Sequence, residues 1–240
     1  MEMDMIEKLN ERLQSYQIDC TSSQLQQFAT YYDLLIDWNK RMNLTAITDP
    51  EEVIVKHFFD SITPAFFYPF SQQRMIDIGA GAGFPSIPLK ICFPDLKLTL
   101  LDSLNKRITF LQHLIETLNL KNVDFIHGRA EEIARKSDLR ESFDIAISRA
   151  VAKLNVLAEL SLPFIKLKGS MIALKGARAN EEIAEAQKAI QLLGGVFVKE
   201  HNFDLPEHFG ERTIIIINKT KSTPIKYPRK SGTPNREPIQ

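Results

Sequence analysis

Residues 75–90 read MIDIGAGAGFPSIPLK, and in them Asp77 is followed by glycines at alternate positions, Gly79, Gly81 and Gly83. An apolar run ends in an acid, a glycine-rich turn follows, and Pro85 and Pro88 open a helical run. Such a turn lets backbone come close to a ligand at the end of a strand. Phosphate cradling is one chemistry of this kind. A triphosphate loop needs GxxxxGK[ST], and no lysine follows Gly83 at that spacing. A dinucleotide fingerprint is GxGxxG. Gly79 and Gly81 fit it, but Phe84 stands where a small residue would permit close helix–strand packing. The competing structural explanation is a tight turn that holds nothing. Three alternate glycines carry a chain-entropy cost that a plain turn need not incur, which favours a ligand.

The pattern D-x-G-x-G-x-G resembles the loop of S-adenosylmethionine-dependent methyltransferases, where no phosphate is held. The glycines would admit the methionine and ribose portion of the ligand, and Asp77 would orient the loop or accept a hydrogen bond from the ligand's amino group. Asp102 ends the next strand candidate, 21 residues beyond Gly81. A carboxylate there accepts both ribose hydroxyls in either cofactor class; otherwise it is a helix cap. HGRAEEI ends the third run and would set Ala130 and Glu131 beside an adenine edge, although the acids also suit a helix's first turn. ISRAVA ends the fourth. Neither the [DNS]PP[YFW] of base-amine methyltransferases nor a Pro-Cys or Thr-Cys nucleophile is present. Arg149 is the unusual residue: a charge closing an apolar strand needs a partner. It suits a cofactor carboxylate or a nucleic-acid phosphate. Lys175, closing MIALKG, is placed similarly.

Two periodicities position these residues. Residues 1–70 read as helical. Met5, Leu9, Leu13 and Tyr16 share one face, as do Leu25, Phe28, Tyr32, Leu35 and Trp38 behind a cap at Ser22 or Ser23. Asp49 and Pro50 open a third helix. His57 and Asp60 fall on it at i and i+3 and read as structural. Across residues 71–220, β-rich runs alternate with helical ones, which predicts a Rossmann-like α/β fold with a mostly parallel sheet. GVFVKEHNF and RTIIIINK have no helix between them and read as an antiparallel pair ending that sheet. Residues 221–240 are rich in Pro, Ser, Thr, Lys and Arg and read as irregular.

Lys+Arg and Asp+Glu are both 30, so net charge is zero and any nucleic-acid contact must be local. Lys219, Lys221, Lys226, Arg229, Lys230 and Arg236 cluster at the C-terminus, and Lys40, Arg41 and Asn43 follow Trp38. A flexible tail of this composition suits phosphate contacts and would be dispensable for cofactor binding. The two cysteines, Cys20 and Cys92, sit far apart in sequence and outside metal-ligand spacing, which suits a reducing compartment and predicts no metal. The N-terminus does not read as a signal peptide, and Ile214 to Ile217 is too short to span a membrane.

The stretches WNKRMNLTAI, KHFFDS, DIGAGAGFPSIPLKI, LDSLNKRITFL, GRAEE, ISRAVA, LKG and YPRKSGTPNREP occur in order over nearly the whole chain. Together they resemble the ribosomal small-subunit methyltransferase G family, also called glucose-inhibited division protein B. The resemblance implies a cytoplasmic bacterial enzyme with a class I methyltransferase fold. It implies transfer of methyl from S-adenosylmethionine to N7 of a guanine in the 530 loop of 16S rRNA, alone or in a 30S particle. Cofactor contacts carried onto matching positions are Gly79, Phe84, Ala130, Glu131 and Arg149. Two alternatives stay open from the residues alone: an NAD-dependent oxidoreductase, and a non-catalytic RNA-binding protein with a cofactor-like loop.

Overall fold

A computed structural model describes residues 3–240. Its frame is one seven-stranded sheet: β1 (Arg74–Ile78), β2 (Lys97–Asp102), β3 (Val123–His127), β4 (Phe143–Arg149), β5 (Ile165–Lys175), β6 (Gly195–Asp204) and β7 (Glu211–Lys219), in the order β3-β2-β1-β4-β5-β7-β6. The first five run parallel, and β7 is antiparallel to both β5 and β6. The last strand in sequence is thus the inner member of the expected antiparallel pair. The chain steps outward from β1 to β3 and returns to β4 on the far side of β1. That reversal opens a crevice at the carboxyl ends of β1 and β4, where doubly wound sheets take ligands.

Strict alternation divides the central strands between two apolar layers. Ile145 and Ile147, Ile172 and Leu174, and Ile214 and Ile216 enter one layer; Ala146, Met171 and Ala173, and Ile215 and Ile217 enter the other. Both faces are covered, so the strands read as near-continuous hydrophobic runs. The first layer holds α1 (Met3–Gln14) and α2 (Ser22–Met42) together with helices Ser86–Cys92 and Asn105–Thr117. The second holds Leu154–Ser161 and Ala179–Leu192. Residues of the N-terminal helices therefore share one core with the sheet. No helix among the described residues is long and apolar enough to cross a membrane.

Three local expectations need correction. The cap of α2 is Thr21, not Ser22 or Ser23: its hydroxyl accepts from Gln24 N, and the Gln24 side chain accepts from Thr21 N, a reciprocal capping box. On α2 the fully buried tyrosine is Tyr31, and Tyr32 is half-buried. Tyr16 is exposed; the buried face of α1 is Ile6, Leu9 and Leu13. Asp49 does cap the next helix, accepting from Glu52 N at 3.0 Å with Pro50 in the first turn. That helix starts at Pro50–Glu52, widens to a π-helix over Val53–Phe59, returns to α over Asp60–Ile62 and tightens to 3-10 over Thr63–Phe66. Such widened turns recur at functional sites, and here the Lys56 carbonyl in it accepts from a side chain of β4.

Candidate active site

The glycine loop folds back over the end of β2: Gly79 N and Ala80 N both donate to the Leu101 carbonyl, at 2.9 and 3.0 Å. Two glycines are dictated by their surroundings. A Cβ on Gly79 (φ +75°) would lie 2.8 Å from Val151 Cγ2. A Cβ on Gly83 (φ +97°) would meet Ile87 Cδ1 at 2.4 Å and the Tyr31 hydroxyl at 2.8 Å. Asp102 ties the loop from below. Its Oδ2 accepts from Gly81 N and its Oδ1 from Leu104 N, each at 2.9 Å, with Arg107 Nη1 at 3.4 Å. Asp77 is fully buried; its Oδ2 accepts from the Ser86 hydroxyl at the start of helix Ser86–Cys92, and its Oδ1 has no partner among the described residues. Burial pushes the Asp77 carboxyl up to about 7, offset in part by that hydrogen bond and by the charge of Arg149. Of its two expected roles, this geometry serves loop orientation.

Three cavities lie in a row along the carboxyl ends of the strands. The first, about 190 Å³, is lined by Gly79, Asp102, Ala130, Glu131 and Asn235. The second, about 460 Å³, shares Gly79 and Asp102 with it and adds Gly81, Phe84 and Arg149. The third, about 590 Å³, shares His57, Arg149 and Val151 with the second and extends to Lys175 and Arg212. Every cofactor residue expected from sequence except Asp77 thus lines the first two cavities.

Arg149 sits where the second cavity meets the third. Its Nη1 donates to the Lys56 carbonyl at 3.0 Å and to Asp60 Oδ2 at 2.9 Å, and its guanidinium lies 5.0 Å from the Phe84 ring centroid. Asp60 Oδ1 accepts from Arg212 Nε at 3.0 Å. Asp60 is therefore a buried carboxylate between two arginines, the arrangement a buried charge requires. His57 stacks on Phe84 at 4.6 Å, and Phe84 stacks on Tyr31 at 5.2 Å. The Tyr31 hydroxyl donates to the Ala82 carbonyl at 2.6 Å, so the stack is pinned to the glycine loop. Phe84, an obstacle to a dinucleotide, is here the centre of an aromatic column. Burial, then the nearby Arg149, lowers His57 to about 3, and its Nε2 lies 2.7 Å from the Thr45 hydroxyl.

The expectation that His57 and Asp60 are only structural is incomplete. They do not pair with each other, but each meets Arg149 and lines the third cavity. Sequence reasoning missed Tyr31, Val151, Arg212 and Asn235. The KHFFDS stretch was the visible signal for His57 and Asp60. Arg212 belongs to a strand 152 residues beyond Asp60, and nothing local announces the contact.

The expected RNA contacts divide. Lys175 is held, with Nζ 2.5 Å from the Ala152 carbonyl and 2.7 Å from Glu182 Oε2. Lys40 is exposed, Arg41 pairs with Asp37 at 2.7 Å, and Asn43 is the left-handed C-cap of α2. None of these last three lines the cavities, although Leu44, Thr45 and Ile47 just beyond them do. The C-terminal segment is not a free arm. Arg229 Nε, Nη2 and backbone N all bond Glu159, a carboxylate fully buried on helix Leu154–Ser161. Arg140 donates to the Tyr227 and Thr223 carbonyls at 2.9 and 2.8 Å. Gly232 N donates to Glu131 Oε1 at 2.8 Å, and a short helix, Thr233–Arg236, brings Asn235 to the first cavity. Lys219 lies buried in β7 beside Glu141 and Thr223. Lys226 and Lys230 are the two site residues of the tail that stay exposed.

A family model, GidB: rRNA small subunit methyltransferase G, matches residues 24–209. The chain belongs to that family. Among curated relatives, the Ribosomal RNA small subunit methyltransferase G of Geobacillus thermodenitrificans (strain NG80-2) is 57% identical over 224 residues, covering 93% of this chain and 94% of the relative. The protein of that name from Bacillus cereus (strain B4264) is 55% identical over 236 residues, covering 98% and 99%. Solved structures share the fold. M. jannaschii TYW2 in complex with AdoMet matches with a TM-score of 0.52 at 17% identity, over 67% of this chain and 74% of that one. A SAM dependent methyltransferase from Aquifex aeolicus matches with a TM-score of 0.54 at 13% identity, over 73% and 97%.

The fold is that of class I methyltransferases, and the enzyme of this family methylates small-subunit rRNA with S-adenosylmethionine as donor. Family membership sets aside the oxidoreductase and the non-catalytic alternatives. The residues fit the donor: Asp102 lines two adjoining cavities, and Gly81, where an added Cβ meets only the Gly79 carbonyl at 3.8 Å, leaves bare backbone in the second.

Proposed function

We propose that the enzyme methylates N7 of a guanine in the 530 loop of 16S rRNA, that the first two cavities hold the cofactor, and that the third receives the target base. S-adenosylmethionine supplies an electrophilic methyl group on a cationic sulfur. Asp102 would accept the ribose hydroxyls while keeping its bonds to Gly81 and Leu104. Ala130 and Glu131 would border the adenine. Arg149, whose Nη2 among the described residues is engaged only by His57 Nδ1 at 3.4 Å, retains donors for the cofactor's carboxylate or an RNA phosphate. A base entering the third cavity leaves its stack, and Lys175 and Arg212 would then sit near its backbone.

One observation carries the choice of N7: among the described residues, no proton acceptor is poised at this cavity. His57 is neutral and weakly basic, and the carboxylates lining the cavity, Asp60 and Glu182, are both in ion pairs. Guanine N7 bears a lone pair and no proton, so its methylation needs no general base. The chain's contribution is to hold N7 in line with the methyl group and to match the redistribution of charge. With RNA and cofactor saturating, the single-turnover rate is expected to stay nearly flat from about pH 6 to 9: Asp77, at about 7, titrates within that window but orients the loop and touches no reacting atom, and no catalytic group must change its protonation state. A steep rise following one ionisation, abolished by a single substitution, would move the acceptor to an exocyclic amine or a ribose hydroxyl.

Asp102→Ala is expected to weaken S-adenosylhomocysteine binding by about 1.5–3 kcal/mol, roughly ten- to a hundred-fold. The same change removes the acceptors of Gly81 N and Leu104 N, so the loop loosens as well. Calorimetry, with Asp102→Asn retaining one acceptor oxygen, checks both effects; unchanged affinity in the alanine variant would remove the ribose assignment.

A further inference from the structure

The chain has only two cysteines, separated by 72 residues, and the fold puts them in contact: Cys20 Sγ lies 3.8 Å from Cys92 Sγ. Cys20 ends the link between α1 and α2, directly before the cap Thr21. Cys92 is the last residue of helix Ser86–Cys92, whose first residue holds Asp77. Both cysteines are free and half-buried as residues. Their backbones are tied to fixed partners. Cys20 N donates to Asn10 Oδ1 at 3.2 Å, and Gln24 Nε2 donates to the Ile91 and Cys92 carbonyls at 2.6 and 3.4 Å.

We propose that Cys20 and Cys92 are a dithiol that peroxide oxidises to an intramolecular disulfide. Either sulfur can donate to the other; with Cys92 as the donor, the Cys20 thiol lies below its ordinary value, and that contact together with burial holds the Cys92 thiol above its own. Cys20 is thus the attacking sulfur and Cys92 the resolving one. The Cys20 thiolate attacks one peroxide oxygen, the O–O bond breaks, and hydroxide leaves and is protonated to water, giving a sulfenic acid. The Cys92 sulfur then attacks the sulfenic sulfur. The S–O bond breaks as the S–S bond forms, and the thiol proton leaves with the departing oxygen as a second water. Two thiols and one hydrogen peroxide become one disulfide and two waters. In a reducing compartment such a bond forms transiently under oxidant and is reversed by thiols.

The product would cross-link the N-terminal helices to the helix that follows the glycine loop, joining the two units whose Tyr31 and Phe84 form the aromatic column. The test is hydrogen peroxide treatment of the folded full-length protein, then peptide mapping without reductant. Expected are a Cys20–Cys92 cross-linked peptide two hydrogens lighter than its parts, loss of both titratable thiols together, return of both with dithiothreitol, and an upward shift of the melting midpoint in the oxidised form. In Cys92→Ser the Cys20 sulfur should gain oxygen instead, and in Cys20→Ser the Cys92 sulfur should do so more slowly. The proposal is overturned if the wild-type protein gains oxygen on sulfur without the cross-link, pairs only between molecules, or forms the bond only in denaturant. Peptide mapping of the wild-type chain distinguishes these outcomes even where a serine variant folds poorly.

Discussion

Deleting residues 221–240 is expected to abolish S-adenosylhomocysteine binding, and Arg229→Leu alone to lower stability by about 3–5 kcal/mol, a melting shift of roughly 10 °C for a chain of this size. Composition alone points the other way, toward an arm that contacts RNA and is dispensable for cofactor binding. The structure differs because its basic residues answer acids on the body of the protein. Glu159 is fully buried, and Arg229 supplies every hydrogen bond from the tail to it. Removing the arginine leaves an uncompensated buried charge, which costs far more than the pair's net contribution. Glu159→Leu combined with Arg229→Leu should therefore recover much of the loss. The cofactor effect has a separate cause. Gly232 fixes Glu131, Ser231 bonds Glu132, and Asn235 borders the first cavity, so the segment forms part of that cavity's wall. Calorimetry and thermal melts decide the matter. A truncated protein that binds S-adenosylhomocysteine normally and loses only the salt dependence of RNA binding would restore the free-arm view.

Arg149→Ala should lower single-turnover methylation by about a hundred-fold or more, an effect of the size produced by a misplacement of about 1 Å at the reacting centre. The guanidinium makes three kinds of contact at once: the Lys56 carbonyl in the π-helical turn, Asp60, and the face of Phe84. A lysine carries the charge but not the planar fork, so Arg149→Lys should recover little. Alanine also leaves Asp60 with Arg212 as its remaining ion-pair partner, so a fall in melting midpoint accompanies the rate loss. Rates measured well below both melting midpoints, with cofactor and RNA saturating, separate the two effects. A variant that melts lower yet reacts at the wild-type rate would make Arg149 a structural residue only.

The sheet was legible because its evidence is local. Each strand carries its own apolar run, and Asp77, Asp102 and Arg149 mark carboxyl ends that a doubly wound sheet gathers into one crevice. The glycine loop was legible for the same reason. What escaped depends on partners distant in sequence. The tail looked solvated because Glu159, Glu131 and Glu132, which bind it, lie 70 to 101 residues earlier. Lys219 looked like part of a basic cluster, yet it is buried against Glu141 and the Leu162 carbonyl. His57 and Asp60 looked like an α-helical i, i+3 pair. The π-helical turn and two arginines from the sheet give them their actual neighbours. Cys20 and Cys92 fit no spacing rule because the fold alone brings them together.

The central claim is that this chain transfers methyl to guanine N7 in the 530 loop by positioning, without a proton acceptor. Its most direct test is methylation in vitro with purified protein, labelled S-adenosylmethionine, and unmodified 16S rRNA or 30S particles, followed by nuclease digestion and mass spectrometry that locates the label to the atom. The expected result is a single N7-methylguanosine in that loop, absent with the Arg149→Ala protein. Label on an exocyclic amine, on a ribose hydroxyl, or at a guanine outside the 530 loop would contradict it.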